Sequence, residues 1–226
     1  MIIKKIGIIA ALECEVQKII EKLENPYSEK IAGMCFYCGK IGNHEIVCVQ
    51  CGIGKVSAAL GAQIMVTKFG PDAVINTGCA GALSDKLQVG DTVISDATVE
   101  WDLDTIELGN PRGYVSSMDK VKMCASPELA DTMAKVIGSR EKVFKGMIVS
   151  GDQFVSSQEQ RNLILSAFPE AICAEMEGAA IGHVCEQNGI PFCVIRCISD
   201  NANGDSKIDF AEFSSQALQN QFHCHH

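Results

Sequence analysis

Two short acidic motifs, each directly after an apolar run, carry the side chains with the clearest capacity for chemistry. Residues 175–177 read Glu-Met-Glu, and residues 199–200, about twenty positions further on, read Ser-Asp. The preceding apolar runs are typical of buried strands, and ligands of α/β proteins bind where such strands end. A buried carboxylate is costly unless it binds a ligand or accepts hydrogen bonds. These acids are therefore candidate catalytic groups, with a turn or helix cap as the alternative for Asp200.

A second acidic pair follows the first predicted strand. Glu13 and Glu15 fall in the first turn of a predicted helix. Negative charge at this position also stabilises a helix through its macrodipole, so helix stabilisation remains the alternative to catalysis. Side chains two positions apart point about 200° apart around a helix, so at most one of the two can face a site.

Small residues mark two further strand ends. Residues 52–55 read Gly-Ile-Gly-Lys and residues 78–81 read Gly-Cys-Ala-Gly. The first is no phosphate-binding P-loop, because valine replaces both the first glycine and the Ser or Thr of that motif. The glycines of the first segment permit a tight turn or a close approach of backbone to ligand. The small residues of the second segment leave room either for a ligand or for helix packing. No motif supplies a histidine to activate Cys79, and His183 is interpreted as a packed or surface histidine inside a helix.

Strand-like and helix-like segments alternate along the chain, which predicts a mostly parallel or mixed sheet in a three-layer α/β/α fold. No linker or internal repeat interrupts the pattern, so residues 1–226 are predicted to form one domain. The predicted strands are 5–11, 34–41, 45–51, 72–78, 89–100, 143–150, 171–174 and 191–198. The predicted helices are 13–24, 54–69, 127–138, 157–167, 177–188 and one from Asp209, while 101–125 is predicted to be irregular.

Bulk properties exclude several classes of protein. The 226 residues carry a net charge of −9, which argues against binding to nucleic acid or to an anionic membrane. No segment has the features of a signal peptide or the length of a membrane span. We therefore expect a cytoplasmic protein.

Twelve cysteines are present, and several lie in apolar contexts where they act as small hydrophobic residues. The pairs Cys35/Cys38 and Cys48/Cys51 have a spacing that can bind zinc. Both pairs lie in predicted strands, however, where residues three apart point to opposite faces. Buried reduced thiols are the favoured interpretation, with structural zinc as the alternative.

The ordered motifs closely resemble those of the 5′-methylthioadenosine/S-adenosylhomocysteine nucleosidases, within the nucleoside phosphorylase-I superfamily. The resemblance covers roughly residues 5–215 and implies a central mixed, partly barrel-like sheet, a homodimer, and no metal or organic cofactor. The motifs that carry it are Gly7–Val16, Gly52–Val56, Asn76–Gly81, Val149–Phe154, Glu175–Glu177 and Ile198–Asp200.

The resemblance implies irreversible hydrolysis of the N-glycosidic bond of 5′-thio-substituted adenosines. Adenine leaves as a neutral base when a general acid protonates N7, and the opposite face of the sugar must hold a water, as in an inverting glycosidase. By resemblance Asp200 is the acid, oriented by Ser199, and Glu15 activates the water with help from Arg196. The substrate-binding residues that it implies are Glu177, Met176 and Glu175 near the ribose, Phe154 and Val155 at adenine, and Ile53, Phe210, Leu12 and Cys79 elsewhere in the pocket.

Some positions depart from the family pattern. Cys79 stands where many members have Ser, and Leu12 replaces a common Met. The segment 101–109 lacks an aromatic residue that members often supply across the dimer, which leaves the preferred 5′ substituent open.

Three other functions stay open. A purine nucleoside phosphorylase shares the fold, but phosphate binding typically needs arginine, and Asn76 stands where related phosphorylases tend to place one. A nucleosidase could also act on another 5′-substituted nucleoside, such as futalosine or 5′-deoxyadenosine. A non-catalytic nucleoside-binding protein is the alternative from a different class.

Overall fold

Ten strands form one mixed sheet in a computed structural model that describes residues 3–139 and 142–202. The strands are β1 (Lys5–Ala10), β2 (Glu24–Ile31), β3 (Met34–Ile41), β4 (His44–Gln50), β5 (Ala73–Ala82), β6 (Thr92–Glu100), β7 (Met123–Cys124), β8 (Val143–Ser150), β9 (Ala171–Glu175) and β10 (Phe192–Asp200). The helices are α1 (Glu13–Ile20), α2 (Lys55–Ile64), α3 (Pro127–Gly138), α4 (Gln158–Ala167) and α5 (Gly178–Gln187). A π-helical turn (Met65–Phe69) extends α2, and a short 3₁₀ helix spans Ile106–Leu108.

Five of the strands close into a barrel. The order β10-β6-β8-β9-β5 is completed by pairing of β10 with β5, and β1, β4, β3 and β2 continue the sheet outward from β5. Strands β1, β4, β5 and β10 run parallel, so their carboxyl ends lie at one edge. The predicted fold class, a mixed and partly barrel-like α/β/α sheet, is confirmed.

Helices cover both faces of the sheet, and the alternation of side chains along the strands assigns four of the helices to a face. In β4, Ile46 and Cys48 pack with α1, whereas Val47 and Val49 belong to the core that includes α2. In β10, Cys193 packs with α3, and the adjacent Val194 lies in the core with α5. Helices α1 and α3 therefore lie on one layer, and α2 and α5 on the other.

The structure differs from the predicted elements at several boundaries. Strand β2 was not predicted, because it is an edge strand that contains Pro26 and exposes both faces, so no apolar alternation marks it. The predicted helix 13–24 ends at Ile20. Strands β5 and β10 continue through the segments 78–81 and 199–200, which were predicted to follow them. The helix predicted from Asp209 lies outside the described residues.

The predicted hairpin is confirmed as β3 and β4, joined at Gly42-Asn43. All eleven cysteines within the described residues are free thiols. The same part of the chain contains no group of three or more His, Cys, Asp or Glu side chains placed to hold a metal ion. None of its helices has both the length and the apolar composition that a membrane crossing requires. That residues 1–226 form one domain stays a prediction.

Candidate active site

A cavity open to solvent lies where β5, β9 and β10 end, beside the first turns of α1 and α5. Its accessible volume is about 140 Å³. Eleven of the thirteen predicted site residues line it: Leu12, Glu15, Ile53, Cys79, Phe154, Val155, Glu175, Met176, Glu177, Ser199 and Asp200. Arg196 is fully buried nearby, and Phe210 lies outside the described residues.

Glu15 faces the cavity, whereas Glu13 is exposed to solvent on the other side of the helix. One Glu15 oxygen accepts hydrogen bonds from the backbone N–H groups of Ala11 (3.0 Å) and Leu12 (2.9 Å). Burial raises the pKa of Glu15, although these N–H groups, that of Cys79 and the charge of Arg196 all oppose the rise. The same carboxylate therefore caps α1 and presents a basic group to the cavity.

Arg196 is the centre of a buried ionic cluster. Its guanidinium donates to Asn76 Oδ1 (2.7 Å) and to Glu175, and it lies 3.7 Å from Glu177 Oε2. Glu175 also accepts from the Ser150 hydroxyl and from the backbone N–H groups of Glu177 (3.0 Å) and Gly178 (2.8 Å). Both oxygens of Glu175 are thus occupied by donors of the chain.

Glu177 is held less completely. Among the described residues, its Oε1 accepts one hydrogen bond, from the N–H of Gly54 (2.9 Å). Burial and the charge of Glu175 raise the pKa of Glu177 to about 7, against the influence of Arg196. Because Glu177 lines the cavity and has few donors, it is the acid of this cluster with acceptor capacity left for a ligand.

Asp200 is buried at the end of β10, and only 2% of it is exposed. Its Oδ2 accepts from the Ser199 hydroxyl (2.9 Å), and its Oδ1 accepts from the N–H of Ala202 (2.8 Å). Both the cap and the site interpretation of this residue are therefore compatible with its contacts, and its position on the cavity wall favours the site.

Two glycines of β5 make room for these acids. A Cβ on Gly78 would lie 2.9 Å from Glu15 Oε1 and 3.1 Å from Arg196 Nη1, and a Cβ on Gly81 would lie 2.8 Å from Asp200 Oδ1. The small residues at 78–81 thus allow close packing of the strand against the candidate catalytic acids.

Asn76 and Ser150 were not predicted as residues that hold the site. Both are fully buried, and both contact the Arg196–Glu175 pair directly. The usable signal was a polar residue within a mostly apolar strand, as for Asn76, or at its end, as for Ser150, because such a residue needs a buried partner.

Comparison with known proteins first defines the class. A model of the Phosphorylase superfamily matches residues 5–224. The 5′-methylthioadenosine/S-adenosylhomocysteine nucleosidases of Staphylococcus aureus (strain bovine RF122 / ET3-1) and Shewanella halifaxensis are 42% and 39% identical over 213 and 214 residues, and each alignment covers 94% of this chain and 93% of the relative. The chain belongs to the 5′-methylthioadenosine/S-adenosylhomocysteine nucleosidase family of the Phosphorylase superfamily.

Solved structures of two similar enzymes superimpose closely on this chain. The S-adenosylhomocysteine nucleosidase of Streptococcus pyogenes, in complex with 5-methylthiotubercidin, superimposes with a TM-score of 0.92 at 34% identity, covering 97% of this chain and 93% of that one. The futalosine hydrolase of Helicobacter pylori superimposes with a TM-score of 0.90 at 32% identity, covering 96% and 93%.

Proposed function

We propose that the chain hydrolyses the N-glycosidic bond of 5′-methylthioadenosine and S-adenosylhomocysteine. The products are adenine together with 5-methylthioribose or S-ribosylhomocysteine. The observation that carries the proposal is the presence of three buried acids, Glu15, Glu177 and Asp200, around one cavity. Each stands at the position that the family resemblance gives to an acid of this reaction.

Asp200 acts as the general acid that protonates adenine at N7. Adenine is a poor leaving group as an anion, so a positioned proton lowers the barrier to C–N cleavage. The hydrogen bond from Ser199 and the N–H of Ala202 fix the orientation of the carboxyl group. Phe154 stacks on the base, and the backbone of Val155 hydrogen-bonds to it.

Glu15 binds and deprotonates the attacking water on the opposite face of the sugar. A carboxylate with a raised pKa is a stronger base than an ordinary Glu, and two backbone N–H groups hold it in place. Separate acid and base carboxyl groups with room for a water between them follow the logic of an inverting glycosidase.

Glu177 binds the ribose hydroxyls, and Met176 packs on the sugar. Ile53 lines the pocket of the 5′-thio substituent, to which the family resemblance also assigns Phe210, a residue outside the described part of the chain. Leu12 lines the cavity near the site. Cys79 lies beside Glu15, where a thiol gives only a weak hydrogen bond.

Glu175 and Arg196 position the other groups. Because the oxygens of Glu175 are occupied by donors of the chain, we assign it to holding Arg196 and the first turn of α5 rather than to contacting the ribose. Arg196 in turn places positive charge close to Glu177 and Glu15.

Phosphorolysis is the main alternative, and the arginine of this site argues against it. Arg196 is already surrounded by Glu175, Glu177 and Asn76, so its charge is compensated before any phosphate arrives. A phosphate group near Glu15 would also be repelled.

The decisive experiment measures adenine release from 5′-methylthioadenosine in phosphate-free buffer, with and without added phosphate. We expect equal release in both, with free 5-methylthioribose as the second product. A requirement for phosphate together with a sugar 1-phosphate would overturn hydrolysis in favour of phosphorolysis. Binding without turnover would favour a nucleoside-binding protein.

A second candidate is a preference for another 5′ substituent, as in futalosine or 5′-deoxyadenosine. The segment 101–109 departs from the family, and the structurally similar proteins include a futalosine hydrolase. The ratio of kcat/KM values for these nucleosides against 5′-methylthioadenosine distinguishes the two preferences.

We also propose a homodimer that acts in the cytoplasm. Val56 and Leu108 are about 80% exposed, and they line one open groove next to the site. A second copy of the chain on this surface would bury them. The free thiols fit a reducing compartment.

A further inference from the structure

Four charged or titratable side chains form a second cluster outside the acids described above. We call Lys55, Glu100, Asp102 and His183 the Lys55 cluster. The ammonium group of Lys55 lies 2.6 Å from Asp102 Oδ1 and 3.1 Å from Glu100 Oε2, and the other oxygen of Glu100 lies 3.0 Å from Nδ1 of His183. The lysine and both carboxylates are only 12–16% exposed.

The position of Lys55 is unfavourable for the helix that it begins. It is the first residue of α2, whose first turn contains no acidic residue, and a positive charge there is opposed by the helix macrodipole. The carboxylates compensate for this. Burial opposes the charge on Lys55, but Asp102 and Glu100 outweigh it and raise the pKa of Lys55.

The cluster is joined to two walls of the active-site cavity by backbone hydrogen bonds. Asp102 Oδ2 accepts from the N–H of Asp152 (2.8 Å), and Asp152 Oδ1 accepts from the N–H of Lys55 (2.8 Å). Residues 52–55 and 151–155 are thereby held against each other. Ile53 lies in the first segment and Phe154 in the second, and both line the cavity.

The same contacts extend to an acid of the site. Gly54, directly before Lys55, donates its N–H to Glu177. The ionic contact of Lys55 with Asp102 therefore fixes three groups at once: the wall that carries Ile53, the wall that carries Phe154, and the carboxylate of Glu177.

We propose that the Lys55 cluster is a positioning device that sets the spacing between the Ile53 and Phe154 walls, and so determines how tightly a ligand that spans both walls is bound. The proposal rests on the proposed function for the identity of that ligand, an adenine nucleoside with a 5′ substituent. Adenine alone touches the Phe154 wall and depends little on the spacing. Supporting contacts of this kind matter because displacements near 1 Å weaken binding and catalysis strongly.

The test replaces Lys55 by Met, which keeps the length of the side chain and removes the charge. Calorimetry measures the affinity of two probes, adenine and 5′-methylthiotubercidin. We expect K55M to lower the affinity for the nucleoside at least tenfold and the affinity for adenine less than threefold, by analogy with the cost of misplaced site groups. The matched control is K68M, which removes an exposed pair with Glu29 and leaves both affinities unchanged.

A second variant keeps the proposal testable if K55M misfolds. Asp102→Asn keeps an oxygen for the N–H of Asp152 but removes the ion pair with Lys55. It should show the same selective loss of affinity for the nucleoside. The double variant should bind no more weakly than the single variant with the larger loss, because both substitutions act through one contact. Equal losses for both probes, or no loss, would overturn the proposal.

Hydrogen exchange gives a readout that needs no ligand. We expect K55M to raise the exchange rates of peptides that contain residues 52–57 and 151–156. Without the lysine, Asp102 is no longer held in place, so the acceptors of these N–H groups become less fixed. Unchanged exchange would contradict the positioning role. Failure of the proposed function would be seen as absence of nucleoside turnover by the wild-type protein. The hydrogen-exchange data would still decide the positioning role of Lys55.

Discussion

Glu175 and Glu177 are two residues apart, yet their surroundings give them different capacities. Glu175 accepts from Arg196, from the Ser150 hydroxyl and from two backbone N–H groups, so its charge is stabilised where it lies. Within the described part of the chain, Glu177 has one N–H donor and a more distant guanidinium. Burial thus penalises the charge of Glu177. A carboxylate in this state can still accept hydrogen bonds from a ligand, and those bonds would offset the penalty.

The pKa of Glu177 makes a prediction about stability. Because its pKa is raised from the ordinary 4.5 to about 7, folding favours the protonated form. The stabilisation is complete below pH 4.5 and is lost as the pH rises through 7. Glu177→Gln should therefore raise the free energy of unfolding relative to wild type by roughly 1–3 kcal/mol at pH 8, and by much less at pH 4.5.

Thermal unfolding of both proteins at the two pH values and one protein concentration checks this. Glu13→Gln, at an exposed position in the first turn of α1, is the control and should not raise the melting temperature at pH 8, because it removes a negative charge that the helix macrodipole favours. A stability gain for Glu177→Gln that does not depend on pH would contradict the argument.

Glu15 makes a prediction about turnover. Glu15→Gln keeps the shape of the side chain but removes the base, so kcat should fall by about 10²–10⁴. The affinity for 5′-methylthiotubercidin should change little, because that ligand does not react. In the wild type, kcat/KM should fall with decreasing pH at a value above the ordinary pKa of Glu, since burial raises the pKa of Glu15. Full turnover by the variant would remove Glu15 from the mechanism.

Strand β5 is the element on which the acids depend most directly. Gly78→Ala would place a methyl group 2.9 Å from Glu15 Oε1 and 3.1 Å from Arg196 Nη1, so one of these groups must move. We expect kcat/KM to fall by about 10²-fold, the effect of a displacement near 1 Å. Circular dichroism should show a folded protein.

Gly138→Ala is the matched control, because among the described residues its methyl group would meet only Val143 Cγ2, at the ordinary contact distance of 3.9 Å. It should leave kcat/KM unchanged. Wild-type activity in Gly78→Ala would mean that the acids tolerate displacement.

The β3–β4 hairpin makes a prediction about zinc. Burial raises the pKa of Cys48 to about 12, and burial together with the charge of Glu177 raises the pKa of Cys51 to about 12. Zinc binds thiolates, so these residues are poor ligands at neutral pH. We expect Cys35→Ser and wild type to contain the same amount of zinc by elemental analysis. A loss of one zinc per chain in the variant would establish a site on the hairpin.

At the scale of the whole molecule, the exposed apolar groove predicts association of two copies. Leu108→Glu puts a charge on this surface and should shift the protein from dimer to monomer in sedimentation velocity, because an unpaired charge is costly to bury. Val136→Glu, on an exposed face of α3, is the control and should stay dimeric. A monomeric wild type would overturn the dimer.

The sequence predicted the elements well where apolar periodicity was strong and poorly where it was absent. The hairpin, α3 and β8 match their predicted ranges closely. Strand β2 has no apolar face to reveal it, because among the described strands it pairs only with β3, at the edge of the sheet. The ends of β5 and β10 were misjudged because glycine and acidic residues usually terminate a strand, whereas here pairing between β5 and β10 continues through them.

The sequence by itself determined the family, the order of the motifs and the residue types available for chemistry, because these are properties of the chain read locally. Only the tertiary structure decided that Glu15 rather than Glu13 faces the cavity, that donors of the chain occupy Glu175, and that Lys55 links two walls of the site. These facts depend on contacts between residues far apart in the chain. Strand register and barrel closure set those contacts, and the environment that they create gives chemically identical carboxylates different roles.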